Sequence, residues 1–384
     1  MDKNKQYKIA LVAFTQGLEY DDRIRKEVLS IQRMMPNVSF KLFSVEFNNG
    51  PQREGITSYG VPFENIHLKS RDRYPNNSHS LLKAWDLNKS IYDRIKKYDY
   101  LWVADDQPFL NILFFRGSVL WDLHELPASL MGNGIKKIFL RFLFKKSRVL
   151  IHANRARIDY LNSLGYIKDY SKHLVIRNFP NFEDIDPEYD ESYHSFVNWK
   201  GDDECVYLQS LGGDNRAPYE SVKAVLHYPR YKAVIVGGFN EKAKEKLVEE
   251  YGNEEIENRL FFVGLVPQTK IPHYIKCCSL SLVFYKNTSA NNLYCEANRF
   301  YQSVILGLPV VVGYNPPMKE IIDKYKFGVV ADTDGSDINK IITAMDELIA
   351  RREDIIKYNE KNKERLLWKD QESILFNAMN DFLN

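Results

Sequence analysis

Cysteine is scarce in this sequence. Four occur in 384 residues (Cys205, Cys277, Cys278 and Cys295). Thiols so few and so placed support neither a disulfide framework nor a C-x-x-C metal site, and they fit a reducing compartment. Long apolar runs are missing as well. No stretch approaches the roughly 18–20 uncharged apolar residues of a spanning helix, and the opening MDKNKQYKIALVAF holds an apolar run too short for a signal peptide. A cytoplasmic protein is therefore expected. Internal repeats, low-complexity tracts, G-x-G-x-x-G and the Walker pattern are all absent. Net charge nearly vanishes too, with 53 Lys+Arg against 51 Asp+Glu leaving +2.

That balance conceals a split. Residues 1–180 carry 29 basic and 18 acidic side chains (+11), whereas residues 181–384 carry 24 and 33 (−9). No nucleic-acid recognition motif accompanies the basic half, so nucleic acid is not an expected partner. A composition of 44% hydrophobic and 13% aromatic residues excludes a wholly disordered chain.

The apolar pattern is that of strands buried on both faces alternating with helices. Strands are expected at 8–14 (KIALVAF), 40–45, 100–104, 119–122 and 149–153, with helices over 23–34 and 81–97; the half closes near 175–178 (VIRN). Segment 179–204, with Pro180, Pro187 and nine acids but few aliphatic residues, reads as a linker. The pattern restarts at 205–208, 233–236, 260–263, 280–284 and 308–312, and turns helical from 338. The expectation is an α/β chain of two Rossmann-like domains facing a cleft. Residues 1–180 would form the first domain, 181–204 a linker and 205–365 the second domain, with helix 366–384 packing back on the first.

Ligands in such sheets bind beyond the carboxyl ends of strands. Gly17, Gly212-Gly213 and Gly237-Gly238 all follow strands, where they either admit a phosphate or sugar or make ordinary turns. In WDLHELP (121–127), His124 sits among carboxylates, which suits polar work in a cleft or a hydrogen-bonded loop. No ligand spacing suggests a metal site. The densest signal is YCEANRFYQSVILGLPVVV (294–312). A helix beginning near Asn298 would carry Arg299 and Gln302 on one side, and its free amides favour a diphosphate. Arg216, in GGDNRAP, would be the second cation; either arginine alone also fits a surface residue.

These segments together resemble GT-B-fold glycosyltransferases of the GT4-like retaining group. ANRFYQ…GLPV resembles P-N-K-hydrophobic-hydrophobic-E…G-L-P-V, DDRIRKEV (21–28) resembles D-x-R-V-x-K-E-A, and WDLHELP resembles D-x-H-E. VIRNFPN (175–181) and FFVGLVPQTKIPHY (261–274) match two further segments in order. The resemblance implies transfer of a sugar, with retention, from a nucleotide diphosphate sugar, a UDP-sugar being favoured. The acceptor would be a glycan or a lipid-linked molecule in cell-surface polysaccharide or glycoconjugate synthesis. It implies catalytic roles for His124, Arg216 and Arg299, and donor contacts by Gly17, Gly238, Leu265, Glu296, Asn298 and Gln302. Neither cofactor nor metal is expected. Two departures stand out. The E-x7-E acids fall on Tyr294 and Gln302, with Glu296 two residues off, and the arginine of G-R-L is missing from Gln209-Ser210-Leu211. A nucleotide-sugar epimerase of the same fold and a non-catalytic glycan- or nucleotide-binding partner remain alternatives.

Residues 135–148 (IKKIFLRFLFKKSR) hold six basic residues and no acid. Their apolar face suits a domain core, or else peripheral contact with an anionic membrane through Lys136, Lys137, Lys145 and Lys146.

Overall fold

The computed structural model describes residues 5–74, 78–181 and 188–384. Two compact units emerge. Unit 1 is Met1–Asn178 with Gln371–Asn384, and unit 2 is Phe179–Asp370.

Unit 1 is built on eight strands: β1 (Tyr7–Thr15), β2 (Val38–Glu46), β3 (Arg53–Ile56), β4 (Pro62–Asn65), β5 (Tyr100–Ala104), β6 (Ser118–Leu123), β7 (Val149–His152) and β8 (His173–Val175). They lie in the order β3-β4-β2-β1-β5-β6-β7-β8 and pair in parallel, except that β3 runs antiparallel to β4. The central strands are apolar runs because both faces are covered: Ile9, Leu11, Val12, Trp102, Val103, Leu120 and Trp121 are fully buried. Burying each such side chain contributes roughly 1.5–3 kcal/mol. Register aligns Thr15 with Glu46 and Ala104 with Asp122, so the carboxyl ends finish along one edge. The β3–β4 hairpin was not expected from sequence; β3 is exposed throughout and shows no apolar signature.

Four helices of unit 1 matter below: α1 (Asp22–Met34), α2 (Ser80–Ile95), α3 (Phe109–Phe114) and α4 (Ile135–Lys146). Asp21 caps α1 by accepting from the Ile24 amide at 3.1 Å.

Unit 2 opens with α5 (Glu191–Lys200) and a parallel sheet of β9 (Glu204–Leu211), β10 (Tyr231–Phe239), β11 (Leu260–Gly264), β12 (Leu280–Val283), β13 (Val310–Val312) and β14 (Gly328–Val330), ordered β11-β10-β9-β12-β13-β14. Here the reading of 181–204 as a linker needs correction. Residues 182–187 lie outside the described residues, but α5 is part of unit 2. Its Phe196 is fully buried and stacks near Phe261 (5.7 Å) and Tyr274 (5.6 Å). The segment buries aromatic rather than aliphatic surface.

Two more helices complete the frame, α6 (Asn298–Ile305) in unit 2 and α7 (Lys369–Leu383) at the C-terminus. From Gln371 onward α7 belongs to unit 1, where Leu375, Ala378, Met379, Phe382 and Leu383 form its buried stripe. Tyr100 donates its hydroxyl to the Leu383 carbonyl (3.2 Å), and the Gln371 side-chain oxygen accepts from the Arg177 amide (2.9 Å).

Strand order reverses between β1 and β5 in unit 1 and between β9 and β12 in unit 2. Those switch points are where open α/β sheets leave a crevice.

Candidate active site

In unit 1 the polar groups gather beyond the ends of β5, β6 and β8. The Arg23 guanidinium, from α1, grips Asp122 with two nitrogens (Nη2 to Oδ1 2.8 Å, Nε to Oδ2 3.2 Å) and donates to the Ile176 carbonyl (3.0 Å). Its Nε also lies 3.2 Å from Glu27 Oε1. Lys26, on the same helix, reaches Asn178 (2.8 Å) and Asp22 (2.8 Å). His124 Nε2 stands 3.1 Å from Asp122 Oδ2, and the His124 carbonyl accepts from Arg157.

The charges follow from these distances. Burial opposes ionisation of Asp122, but Arg23 and His124 overcome it and hold the carboxyl well below the ordinary range. Burial likewise disfavours the His124 cation, yet the adjacent Asp122 raises its pKa to about 9. Glu27 goes the other way: burial pushes it up to about 8 despite Arg23. Near neutral pH the cluster therefore holds two cations, one carboxylate and one neutral acid. Glu27, Asp122 and His124 are the grouping among the described residues whose ligand atoms lie within 4.8 Å of one another. Arg23 already engages both of those acids.

Asp105 follows β5 with a φ of 72°, and burial raises its pKa to about 6. A left-handed non-glycine residue beside a switch point stores strain where polar chemistry gathers. Sequence reading missed Asp105; its only signal is an acid directly after a buried strand. Arg23, Lys26 and Glu27 were visible as a motif, but not as partners of Asp122 and Asn178. Gly17, after β1, donates its amide to the Thr15 hydroxyl at 3.3 Å.

Unit 2 places Arg216 just after β9. Its Nη1 donates to the Ser210 carbonyl (2.6 Å), and its guanidinium lies 5.8 Å from the Tyr285 ring centre. Ser210 itself has a φ of 54°. It packs so tightly on Gly237 that a Cβ there would meet Ser210 Oγ at 3.2 Å. Gly237 thus lets β10 approach the end of β9.

Arg299 differs from the expected phosphate ligand. Almost fully buried, it donates to the Gln209 carbonyl of β9 (3.1 Å) and the Phe284 carbonyl just past β12 (3.0 Å), with Tyr285 4.7 Å away. Burial lowers its pKa, against Tyr285, which raises it. The side chain ties together the two strands that border the switch point. It braces those strand ends through Nη1 and Nη2, while its buried Nε has no hydrogen-bond partner among the described residues.

Gln302 is also buried. Its Nε2 donates to Gln268 Oε1 (2.9 Å), while its own Oε1 has no hydrogen-bond partner among the described residues. Glu296 accepts from the Tyr301 hydroxyl. Asn298 begins α6, and Leu265, just after β11, is 81% exposed. The structure therefore brings Arg216, Arg299, Gly238 and Gln302 to one sheet edge of unit 2, and His124 and Gly17 to one edge of unit 1.

On α4, only Leu140, Leu143 and Phe144 are buried. Ile135 is 85% exposed, and Ile138 and Phe142 are exposed as well, next to exposed Lys136 and Lys145 and half-buried Lys137 and Lys146. The apolar face is thus divided between core and solvent.

Comparisons with known proteins agree with this fold. The family model described as Glycosyl transferases group 1 matches residues 219–365. No curated protein matches the chain by sequence. Among solved structures, the chain is similar to sucrose-phosphate synthase (tll1590) from Thermosynechococcus elongatus (TM-score 0.76, 13% identity, 98% of this chain and 99% of that one). It is also similar to Anabaena Alr3699/HepE in complex with UDP and glucose (0.69, 13%, 98% and 100%). A third match is an alpha,alpha-trehalose-phosphate synthase (UDP-forming) from Burkholderia vietnamiensis (0.67, 8%, 97% and 100%).

Proposed function

For a chain whose second unit carries a group 1 glycosyl transferase domain and whose whole length has the GT-B glycosyltransferase fold, we propose a retaining transferase that moves a hexosyl or N-acetylhexosaminyl group. The donor is a UDP-sugar, and the acceptor is a glycan or a lipid-linked molecule in cell-surface polysaccharide or glycoconjugate synthesis. The observation that carries the reading is the edge of unit 2, where Arg216 and the glycine-rich ends of β9 and β10 lie beside the switch point. UDP and glucose in the Anabaena structure, and the UDP-forming activity named for the trehalose-phosphate synthase, support the choice of donor.

The chemical demand is to stabilise a diphosphate that gains charge as the glycosidic bond breaks. Arg216 meets that charge directly in this reading. Arg299 acts as a positioning residue that fixes the β9 and β12 ends against each other. Gln302 offers its Oε1 to a ribose hydroxyl in place of the acid other members carry. With cations and amides at hand the reaction needs no metal. In unit 1, His124, charged near neutral pH and held by Asp122, is the group that contacts sugar in this reading.

A peripheral membrane contact belongs to the same reading. Exposed Ile135, Ile138 and Phe142 among lysines fit an anionic lipid surface, to which each nearby basic residue contributes about 1 kcal/mol. No helix among the described residues is long and apolar enough to cross a membrane. The test is turnover with UDP-, GDP- and ADP-sugars, acceptors present, with the anomeric configuration of product read by NMR. Retained configuration with a UDP-sugar supports the reading; product from donor alone points to an epimerase, and nucleotide binding without turnover to a binding module.

A further inference from the structure

One cavity of unit 1 is lined by none of Arg23, Glu27, Asp122 or His124. It has a volume of about 860 Å³ and opens beside the residues that follow β2, with Asn49, Arg71, Lys83, Leu87, Phe109 and Ser129 in its wall. No carboxylate among the described residues lines it. Arg71 lies 4.7 Å from the Phe14 ring centre, and its Nη1 makes only long contacts to the Glu46 (3.4 Å) and Phe47 (3.3 Å) carbonyls. Its other guanidinium nitrogens make no hydrogen bond among the described residues. Burial holds its pKa below the usual arginine value, so a bound anion would supply the solvation it has lost.

The helix beside this cavity has two faces. Ser80, Lys83, Ala84 and Leu87 of α2 line the wall at helical spacing. On the adjoining stripe Leu81 is 85% and Trp85 57% exposed, with Leu82 also exposed. α3 packs on α2, and α4 on α3. Each adds exposed apolar side chains, Phe114 and then Ile135 and Ile138. Scattered exposed apolar residues need no explanation, but Leu81 and Trp85 stand together on the helix that lines a cationic cavity.

We infer that this cavity seats the anionic group of an amphiphilic acceptor, with Arg71 as its principal ligand, while Leu81 and Trp85 take the first part of the acceptor's hydrocarbon chain. The inference rests on the transferase reading and narrows its acceptor to a phosphate-bearing lipid. Charge complementarity argues for the anion, and adjacency on one helix argues for the chain.

The test titrates the full-length protein by calorimetry with three probes, all below their aggregation concentrations: dodecyl phosphate, dodecyl maltoside and inorganic phosphate. UDP is titrated in parallel. Dodecyl phosphate is expected to bind at least tenfold tighter than either other probe. Arg71→Gln should weaken it about tenfold, as expected for a lost charge-assisted bond. Leu81→Ser with Trp85→Ser should reduce it to the level of inorganic phosphate. Neither change should alter UDP binding, which also verifies folding. Equal binding of dodecyl maltoside, or no effect of Arg71→Gln, overturns the anion site. Inorganic phosphate binding as tightly as dodecyl phosphate overturns the chain and points to a soluble phosphorylated acceptor. Failure of UDP to bind the wild type would instead bring down the transferase reading, and leaves the cavity result to be judged on its own probes.

Discussion

Arg23 and Asp122 are 99 residues apart in sequence, yet they meet through two nitrogens and two oxygens at 2.8 and 3.2 Å, with both side chains buried. Removing one partner from such a pair strands the other charge, at a cost of about 3–5 kcal/mol. Asp122→Asn is expected to lower the unfolding free energy, read from urea denaturation, by that order. It should also drop the His124 pKa from about 9, since Asp122 is what raises it. Replacing both residues, as in Arg23→Met with Asp122→Leu, should recover much of the stability. An Asp122→Asn protein with unchanged stability and unchanged imidazole titration would contradict the arrangement.

His152 and His173 form a second buried pair, with Nε2 to Nδ1 at 2.9 Å. Burial lowers both pKa values, that of His173 to about 4. A depressed histidine contributes stability above its unfolded pKa of about 6.5 and loses it as pH falls toward the folded value, on the order of 2 kcal/mol for His173. Glu27, raised to about 8, has the opposite slope across the same window. The wild-type curve alone therefore mixes the two. The difference in Tm between wild type and His173→Gln, followed from pH 7 to 4.5, isolates the histidine. It should shrink as pH falls, and a constant difference would refute the assignment.

Arg299 and Arg216 should separate in their effects. Arg299→Met leaves two buried carbonyls without their charge-assisted donors, each bond being worth roughly 1.5–3 kcal/mol. It should reduce both thermal stability and UDP affinity. Arg216→Met, at a half-buried loop position, should reduce affinity with a much smaller change in Tm. Equal thermal losses in the two variants would argue against a brace.

Gln302 offers a graded test. Its unpartnered Oε1 makes Gln302→Leu nearly silent for stability on that side, while the lost ribose contact should weaken UDP roughly fivefold to tenfold. Gln302→Glu should tighten UDP through a stronger, charge-assisted bond. Affinities that do not change in either variant would remove Gln302 from the donor site.

The sheets were legible because a doubly covered parallel strand must be an apolar run, as at 8–14 and 100–104. Segment 188–204 was misread because Tyr193, Phe196 and Trp199 bury rings in a stretch with few aliphatic residues. The order of motifs put Arg299 at the start of a helix after β12, where the structure also has it. Its task was not legible, since whether a guanidinium faces a ligand or two backbone carbonyls depends on where β9 and β12 end. Asp105 escaped for a related reason. Its backbone conformation and its burial arise only once β5 and β6 are paired.

The most direct test of the whole account is calorimetric titration of UDP into the full-length protein and its Arg216→Met variant. Saturable binding at one site per chain, weakened at least tenfold (about 1.4 kcal/mol) in the variant, is the expected result. No saturation at millimolar UDP, or equal affinity in both proteins, would contradict the assignment of the donor site to unit 2.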